Sequence, residues 1–165
     1  MASQKSRAQR PVLVLLCGLP GSGKTTFARQ RAHESGAIRF STDEWMADLG
    51  VDYYDDLRVN LQSRLDRLWR ELLAKGQSVI LEDGTWTRRE RDEIRRIAAE
   101  LGATTEIHWF DLALDELWRR LEERNASPTH GSAPISRTVF DESRGRLERP
   151  DDSELALFDR CILHT

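Results

Sequence analysis

The order of apolar and polar positions along the chain predicts strands and helices in alternation. Short apolar runs between turn residues are typical of strands buried on both faces, as in a parallel sheet. The five predicted strands are Val12–Cys17, Ala37–Phe40, Ser78–Glu82, Thr104–Phe110 and Phe158–His164. Alternation of such strands with helices favours an α/β domain with a parallel sheet and right-handed crossovers.

Helices are predicted between these strands from apolar residues spaced three or four positions apart. The clearest stripe predicts a helix of about 18 residues. Its members are Leu57, Leu61, Leu65, Leu68 and Leu72. Apolar stripes also predict helices around Ile94–Leu101 and from Leu114 to about Asn125. Start and stop residues predict a helix over Lys24 to about Glu34, ended by Gly36, and another from Ser41–Asp43 onward, and a short helix is expected over about 136–146. Polar residues, glycine and proline predict loops over 50–56 and 126–135.

The composition suits one globular domain. The chain has 165 residues, 39% hydrophobic and 32% charged, with a formal net charge of −3. This charge excludes a broadly basic protein that coats nucleic acid. No apolar run approaches the roughly 18 residues of a membrane-spanning helix. We expect residues 1–10 to be a flexible polar tail and residues 11–165 to be a single domain.

Two features predict the compartment. The apolar run after the basic amino terminus is too short for the core of a signal peptide. Two cysteines are too few for a disulfide framework, and we expect Cys17 and Cys161 to be buried thiols in a reducing compartment. The sequence therefore predicts a cytoplasmic protein with no membrane partner.

The most specific motif directly follows the first predicted strand. Residues 18–25 match G-x-x-x-x-G-K-[ST] completely. Its glycines let the backbone curl so that N–H groups point at phosphate oxygens, and the following helix adds its positive dipole end. Lys24 would reach the β- and γ-phosphates, and Thr25 would ligate Mg²⁺. ATP or GTP with Mg²⁺ is thus the expected ligand. The predicted nucleotide-binding residues of this segment are Gly18, Leu19, Pro20, Gly21, Ser22, Gly23, Lys24, Thr25 and Thr26.

Together with four later segments, this motif resembles the small P-loop kinases related to polynucleotide 5′-kinase, zeta toxin and chloramphenicol phosphotransferase. The segments are Ser41–Trp45, Asp83–Thr85, Arg120–Asn125 and Ile135–Ser136. The resemblance covers nearly the whole chain. It implies a P-loop NTPase fold of the nucleoside-monophosphate-kinase type, with a five-stranded parallel sheet and a lid at about 120–136. It also implies transfer of a phosphoryl group to a hydroxyl acceptor.

The resemblance implies two carboxylate roles. Asp43 matches the catalytic base of these kinases. It follows a strand next to residues 18–25, which we call the phosphate loop, and ligands bind at the carboxyl ends of strands in such sheets. Its alternative role is to cap a helix. Asp83 matches the carboxylate near Mg²⁺, which it would approach directly or through water. Glu82 is the alternative ligand, and a plain Asp-Gly turn is the alternative structure.

Two arginines match the lid arginines of these kinases. Arg120 and Arg124 are four residues apart and therefore share one helix face. In such kinases one lid arginine neutralises charge on the transferred phosphoryl group, and the other stacks on the base or holds phosphates. Both are candidate catalytic residues with Asp43 and Lys24. The alternative is an exposed helix face that pairs with Glu116 or Glu123.

The acceptor pocket is expected between residues 43–60 and 84–91, with Asp43, Trp45, Thr85 and Arg88 as the predicted acceptor-binding residues. The first stretch is acidic and aromatic, which favours a neutral or cationic molecule, whereas the second is polar and basic and suits an anion. The charge of the acceptor therefore stays open. Polynucleotide kinase has arginines beside its catalytic Asp, but Thr42 and Met46 occupy the aligned positions here. A nucleic-acid partner is therefore not expected.

Three functions fit the sequence. The favoured one is an ATP-dependent phosphotransferase that moves the γ-phosphate to a hydroxyl of a small molecule. The alternatives are a polynucleotide 5′-hydroxyl kinase and a nucleotide-dependent switch or ATPase without acceptor chemistry. The expected partners are a nucleoside triphosphate and a small hydroxylated acceptor, bound by a monomer or dimer. The four histidines lack the spacing of metal ligands.

Overall fold

The structure is a computed structural model that describes residues 10–83, 85–128 and 131–165. Five parallel strands form one sheet in the order β2-β3-β1-β4-β5. The strands are β1 (Val12–Gly18), β2 (Ile38–Phe40), β3 (Val79–Leu81), β4 (Thr104–Phe110) and β5 (Arg160–His164). The predicted α/β fold with a five-stranded parallel sheet is confirmed.

Helices connect the strands where the apolar spacing predicts them. They are α1 (Lys24–Ser35), α2 (Thr42–Asp48), α3 (Leu57–Ala74), α4 (Arg88–Glu100), α5 (Leu114–Ala126), α6 (Arg137–Arg146) and α7 (Asp152–Leu155). The sequence does not predict α7, because a single turn is too short to show helical periodicity. The last strand begins later than predicted, and Phe158 is buried in the core before it.

The core lies on both faces of β1. Successive side chains of a strand point to opposite faces, so Leu13 and Leu15 pack on one side and Val14 and Leu16 on the other. The first pair contacts the layer formed by α3 and α4, and the second contacts α1. All four residues are buried, and each contributes roughly 1.5–3 kcal/mol of burial free energy.

The sheet order determines where the site forms. β1 lies between β3 and β4. After β1 the chain forms β2 and β3 on one side of it, and then crosses to form β4 and β5 on the other side. A crevice opens at such a switch point, outside the carboxyl ends of the strands. The phosphate loop, the start of α2 and the segment after β3 all lie at this edge.

The cysteine prediction is correct for one thiol and wrong for the other. Cys17 is buried in β1, whereas Cys161 is exposed. The reason is that Cys161 belongs to β5, an edge strand with little cover on its outer face.

Some predictions lie outside the described residues, namely those for the tail at 1–9, Gly84 and His130. Within the described ranges, no helix has the length and apolar character needed to cross a membrane.

Candidate active site

The phosphate loop adopts a backbone that requires glycine. Gly21 and Gly23 have φ angles of 82° and 93°, in the left-handed region. A Cβ atom at Gly18 would lie 2.9 Å from Cβ of Phe110. Gly23 precedes α1 and supplies no side-chain cap, so the first N–H groups of the helix are available to an anion.

Lys24 lies beneath the phosphate loop. Its Nζ donates to the carbonyl oxygens of Gly18 at 2.7 Å and of Leu19 at 2.9 Å. Burial lowers the pKa of Lys24 to about 8, against a smaller opposing effect of acidic neighbours that include Asp43. An anionic phosphate beside this ammonium would favour its charged form.

Leu19 has a structural role in the loop. Its side chain is buried in an apolar cluster with residues of α5 and α6, among them Leu117, Leu121 and Phe140. It therefore does not line the cleft, although its carbonyl oxygen holds Lys24. This contact fixes the phosphate loop to the helix with the two lid arginines.

Asp43 lies in the first turn of α2 and lines the cleft. Ser41 caps this helix, so the Asp43 carboxylate is not needed as a cap. One carboxylate oxygen accepts from Nη2 of Arg58 at 2.7 Å, and the other accepts from the hydroxyl of Tyr53 at 3.2 Å. The Arg58 guanidinium also lies over the Tyr53 ring, 4.6 Å from its centroid. Two neighbours thus fix the orientation of this carboxylate.

Asp83 and Glu82 follow β3 but have different surroundings. Asp83 accepts from the backbone N–H of Thr42 at 2.9 Å and from its hydroxyl at 2.7 Å. Burial raises the pKa of Asp83 to about 7, although the bonds from Thr42 oppose the rise. The structure therefore joins Asp83 to the start of α2.

Glu82 lies beside Thr25. Burial raises the pKa of Glu82, while Arg39 and the nearby Thr25 hydroxyl lower it. Its Oε1 accepts from Nε of Arg39 at 2.6 Å, whereas Oε2 is buried with no hydrogen-bond partner among the described residues. A carboxylate oxygen and a hydroxyl that face the phosphate loop fit the preference of Mg²⁺ for oxygen ligands. Glu82, the alternative from the sequence, fits this ion better than Asp83.

The two lid arginines differ in environment. Arg124 is half-buried, donates to the carbonyl oxygen of Ala133 at 3.3 Å, and has a buried Nε with no partner among the described residues. Burial lowers the pKa of Arg124, and the acidic groups that oppose this effect are Tyr53 and Asp43. Arg120 also lines the cleft, but its Nε donates to Glu116 at 2.6 Å. The guanidinium of Arg124 is therefore more available to a bound phosphate than that of Arg120.

One pair of hydrogen bonds holds the lid together, and one close approach joins it to α2. The side chain of Asn125 donates to the carbonyl oxygen of Ile135 at 2.8 Å and accepts from its N–H at 3.0 Å. A Cβ atom at Gly131 would lie 2.6 Å from Cγ of Glu44 on α2. Glu44 also pairs with Arg29 of α1. Through Glu44, the lid is therefore connected to α2 on the acceptor side and to α1, the helix that follows the phosphate loop.

A single cleft of about 750 Å³ joins these groups, a size typical of small-molecule sites. Of the predicted site residues, it is lined by Gly18, Pro20, Gly21, Ser22, Gly23, Lys24, Thr25, Thr26, Asp43, Asp83, Thr85, Arg120 and Arg124. Two predicted acceptor-binding residues do not line it. Trp45 is 44% exposed on α2, and the Arg88 side chain turns toward Asp151 and Ser153.

Several cleft residues lie outside the stretches expected to form the acceptor pocket, among them Gln62, Asp66 and Trp69. Tyr53 and Arg58 also line the cleft and fall within the expected stretch 43–60, although neither was among the predicted site residues. Arg58, Gln62, Asp66 and Trp69 are spaced four, four and three residues apart, so they form one face of α3 beside its leucine stripe. This second stripe is visible in the sequence and is the signal that would have indicated them.

The phosphate loop and the sheet define a P-loop NTPase domain. Residues 13–150 match the model of the AAA domain family (AAA_33), and the chain belongs to this family. The resemblance to small P-loop kinases is confirmed at the level of family and fold.

Solved structures of several P-loop proteins are similar to this chain. A chain of the Pnkp1/Rnl/Hen1 RNA repair complex gives a TM-score of 0.69 at 22% identity, over 88% of this chain. This chain spans only 47% of that protein. Kti12 of Chaetomium thermophilum, in complex with ADP-AlF3, gives a TM-score of 0.66 at 20% identity, over 93% of this chain and 88% of that one. The APS kinase CysC of Mycobacterium tuberculosis, in complex with AMPPNP and APS, gives a TM-score of 0.58 at 20% identity, also over 93% of this chain and 88% of that one. Identities this low establish the fold alone.

Proposed function

We propose that the protein is an ATP-dependent phosphotransferase that moves the γ-phosphate to a hydroxyl of a small molecule. The main support is the position of Asp43 in the same cleft as Lys24 and the phosphate loop, with its carboxylate held by Arg58 and Tyr53. A nucleotide-dependent switch has no need of a fixed carboxylate on the acceptor side. Two of the similar structures are complexes with adenine nucleotides, ADP-AlF3 and AMPPNP, which gives further support.

The proposed reaction assigns a step to each group. The acceptor oxygen attacks the γ-phosphorus, the bond from that phosphorus to the β-γ bridging oxygen breaks, and ADP leaves. Asp43 takes the proton of the acceptor hydroxyl. Lys24 and the loop N–H groups hold the phosphates, and Arg124 offsets charge that develops on the transferred group.

The protein residues that would hold Mg²⁺ are Thr25 and Glu82, whereas the Asp83 carboxylate accepts hydrogen bonds from Thr42. When bound, Mg²⁺ would shield the charge of the β- and γ-phosphates. The unpartnered Oε2 of Glu82 supports this assignment.

The central prediction concerns Asp43→Asn. We expect this variant to lose transfer at least about 100-fold, because general base catalysis contributes 10²–10⁴-fold. Affinity for ADP should stay nearly unchanged, since the carboxylate lies on the acceptor side. The measurement is transfer from γ-labelled ATP to a pool of hydroxylated metabolites, together with ADP titration. Asp141→Asn, an exposed carboxylate outside the cleft, is the matched control. Near-normal transfer by Asp43→Asn would show that the base is another group.

A polynucleotide 5′-hydroxyl kinase is the second candidate, and Arg58 favours it. This arginine supplies from α3 the guanidinium that positions 42 and 46 lack beside Asp43. A chain of the RNA repair complex is also among the similar structures. A gel assay with labelled ATP and 5′-hydroxyl oligonucleotides tests this candidate, and absence of label on the oligonucleotide removes it.

A further inference from the structure

The cleft continues beyond Asp43 into a region between α3 and the segment that leads into α4. One wall presents Arg58, Gln62, Leu65, Asp66 and Trp69 from α3. The opposite wall presents Thr85, Trp86, Glu90 and Ile94. Both walls mix planar polar side chains with apolar or aromatic ones. We call this region the acceptor chamber.

Two polar atoms of the acceptor chamber are buried without a partner. Among the described residues, neither Nη1 of Arg58 nor Oγ1 of Thr85 makes a hydrogen bond. Thr85 as a whole is only 6% exposed. Buried polar atoms are nearly always paired in native proteins, so these two indicate a place where a ligand supplies the partner.

Arg58 is forked, and its two ends have different roles. Nη2 donates to the Asp43 carboxylate at 2.7 Å, while Nη1 of the same planar group has no partner within the described residues. A hydrogen-bond acceptor and a hydrogen-bond donor therefore lie side by side. Two hydroxyls on adjacent carbons match this pair, since one donates to Asp43 and the other accepts from Arg58.

The charges of the chamber disfavour an anionic acceptor. Asp66 and Glu90 line it, and neither makes a salt bridge within the described part of the chain. Oδ1 of Asp66 accepts hydrogen bonds from the side chains of Gln62 and Trp69, and Oε2 of Glu90 accepts one from the N–H of Thr87. The second oxygen of each carboxylate is therefore available to a ligand. With Asp43, three carboxylates line the chamber, against the guanidinium groups of Arg58 and of Arg146, which lies over the Trp86 ring, 5.7 Å from its centroid. A phosphate-rich chain would meet repulsion here, whereas hydroxyls can donate to each carboxylate.

The apolar residues complete the fit to a ring. Leu65 and Ile94 offer aliphatic surface and Trp86 a flat ring, next to the polar groups. A polyol ring has C–H faces and hydroxyl edges, so it would use both kinds of surface at once. An aliphatic alcohol without further hydroxyls would leave the buried polar atoms unpaired.

We propose that the acceptor is a neutral polyol with two adjacent hydroxyls, of the sugar or cyclitol class. This inference rests on the proposed function. One hydroxyl gives its proton to Asp43 as its oxygen bonds to the γ-phosphorus and ADP leaves. The neighbouring hydroxyl accepts from Nη1 of Arg58 and fixes the attacking oxygen in line.

The first experiment is a panel of acceptors with γ-labelled ATP and Mg²⁺. It contains pentoses, hexoses and cyclitols, matched sugar phosphates and amino sugars, simple alcohols and a 5′-hydroxyl oligonucleotide. We expect label on a neutral polyol, and removal of the hydroxyl adjacent to the phosphorylated one should lower kcat/KM about 10- to 100-fold, as expected for a lost hydrogen bond to a charged donor. An equal rate for the deoxy analogue would overturn the proposal.

The second experiment examines Arg58. Arg58→Gln lowers all rates because it also releases Asp43, so the informative quantity is the ratio of kcat/KM between the polyol and its deoxy analogue. This ratio should fall close to one in Arg58→Gln and stay at the wild-type value in Arg67→Gln, an exposed arginine of the same helix. An unchanged ratio in Arg58→Gln would overturn the proposal, whatever the stability of the variant.

The two proposals fail in different ways. In one outcome, label appears on the oligonucleotide, a sugar phosphate or an amino sugar in preference to neutral polyols, and it disappears in Asp43→Asn. This outcome overturns the neutral polyol as acceptor but supports the proposed phosphotransferase activity. Binding of ATP without label on any acceptor of the panel overturns both.

Discussion

Lys24 shows how much a single residue contributes to this site. The chain has 25 basic residues, of which only Lys5, Lys24 and Lys75 are lysine. An ammonium is compact, and Nζ of Lys24 donates to two loop carbonyl oxygens from beside the proposed phosphate site.

We expect Lys24→Met to weaken nucleotide binding about 10- to 100-fold, because charge-assisted bonds contribute 1.5–3 kcal/mol. Titration with ADP measures the change. Lys75→Met removes an exposed lysine after α3 and should leave the affinity unaltered. Equal affinities for the two variants would contradict the placement of Lys24 at the phosphates.

Asp83 is a second residue with a measurable signature, the dependence of stability on pH. Its pKa in the folded state is about 7, above the ordinary value of 3.8, so folding favours the protonated form. The stability that it contributes is complete below about pH 4 and is lost as the pH rises through 7.

Asp83→Asn should therefore remove part of this pH dependence. Between pH 5.5 and pH 8, we expect the thermal midpoint of the wild type to fall by about 2–4 °C more than that of the variant, which corresponds to about 1 kcal/mol. Calorimetry at the two pH values provides the comparison. Parallel curves for both proteins would mean that Asp83 is ionised throughout.

At the scale of elements, the lid depends on a close approach to α2. Gly131 has a φ of 76° and leaves no room for a Cβ beside Glu44. Closure of a lid excludes water from the transferred phosphoryl group. A side chain at this point would hold the lid away from α2.

Gly131→Ala should lower the ratio of phosphoryl transfer to ATP hydrolysis about 10-fold, the order of effect of a misplaced closing element. The control is Gly145→Ala in α6, where a Cβ meets nothing within 4 Å and the helix favours alanine. Product analysis by chromatography gives the ratio. If both alanine variants behave like the wild type, the contact between lid and α2 has no role in closure.

At the scale of the whole molecule, a buried ion pair joins distant parts of the chain. Arg91 on α4 is 0% exposed and Glu154 on α7 is 1% exposed. Arg91 also donates to the carbonyl oxygens of Thr85 and Glu148. The pair therefore supports the wall of the acceptor chamber from behind.

Removal of one partner leaves a buried charge unpaired. We expect Arg91→Met to lower the free energy of unfolding by about 3–5 kcal/mol, and Arg91→Met with Glu154→Leu to regain part of this loss. Arg96→Met, from an exposed pair on the same helix, should cost less than about 1 kcal/mol. Urea denaturation measures all three values. A double variant less stable than Arg91→Met would contradict this explanation.

The sequence predicts the fold better than it predicts the site, for a physical reason. The apolar run of β1 and the leucine stripe of α3 are local patterns with a period, and burial enforces them wherever the elements finally pack. The contact of Arg58 with Asp43 depends on the angle at which α3 crosses α2, which no local pattern encodes. Glu82 and Asp83 are adjacent in sequence, and only the register of β3 decides which of them turns toward Thr25.

At Gly21 the phosphate loop packs closely against α5, because glycine has no Cβ atom. A Cβ atom there would lie 3.0 Å from the carbonyl oxygen of Leu117 and from Cγ of Leu121, both on α5. The loop backbone and the helix with Arg120 and Arg124 are therefore in direct contact. A nucleotide that displaced this loop toward α5 would therefore also displace the helix that carries Arg120 and Arg124.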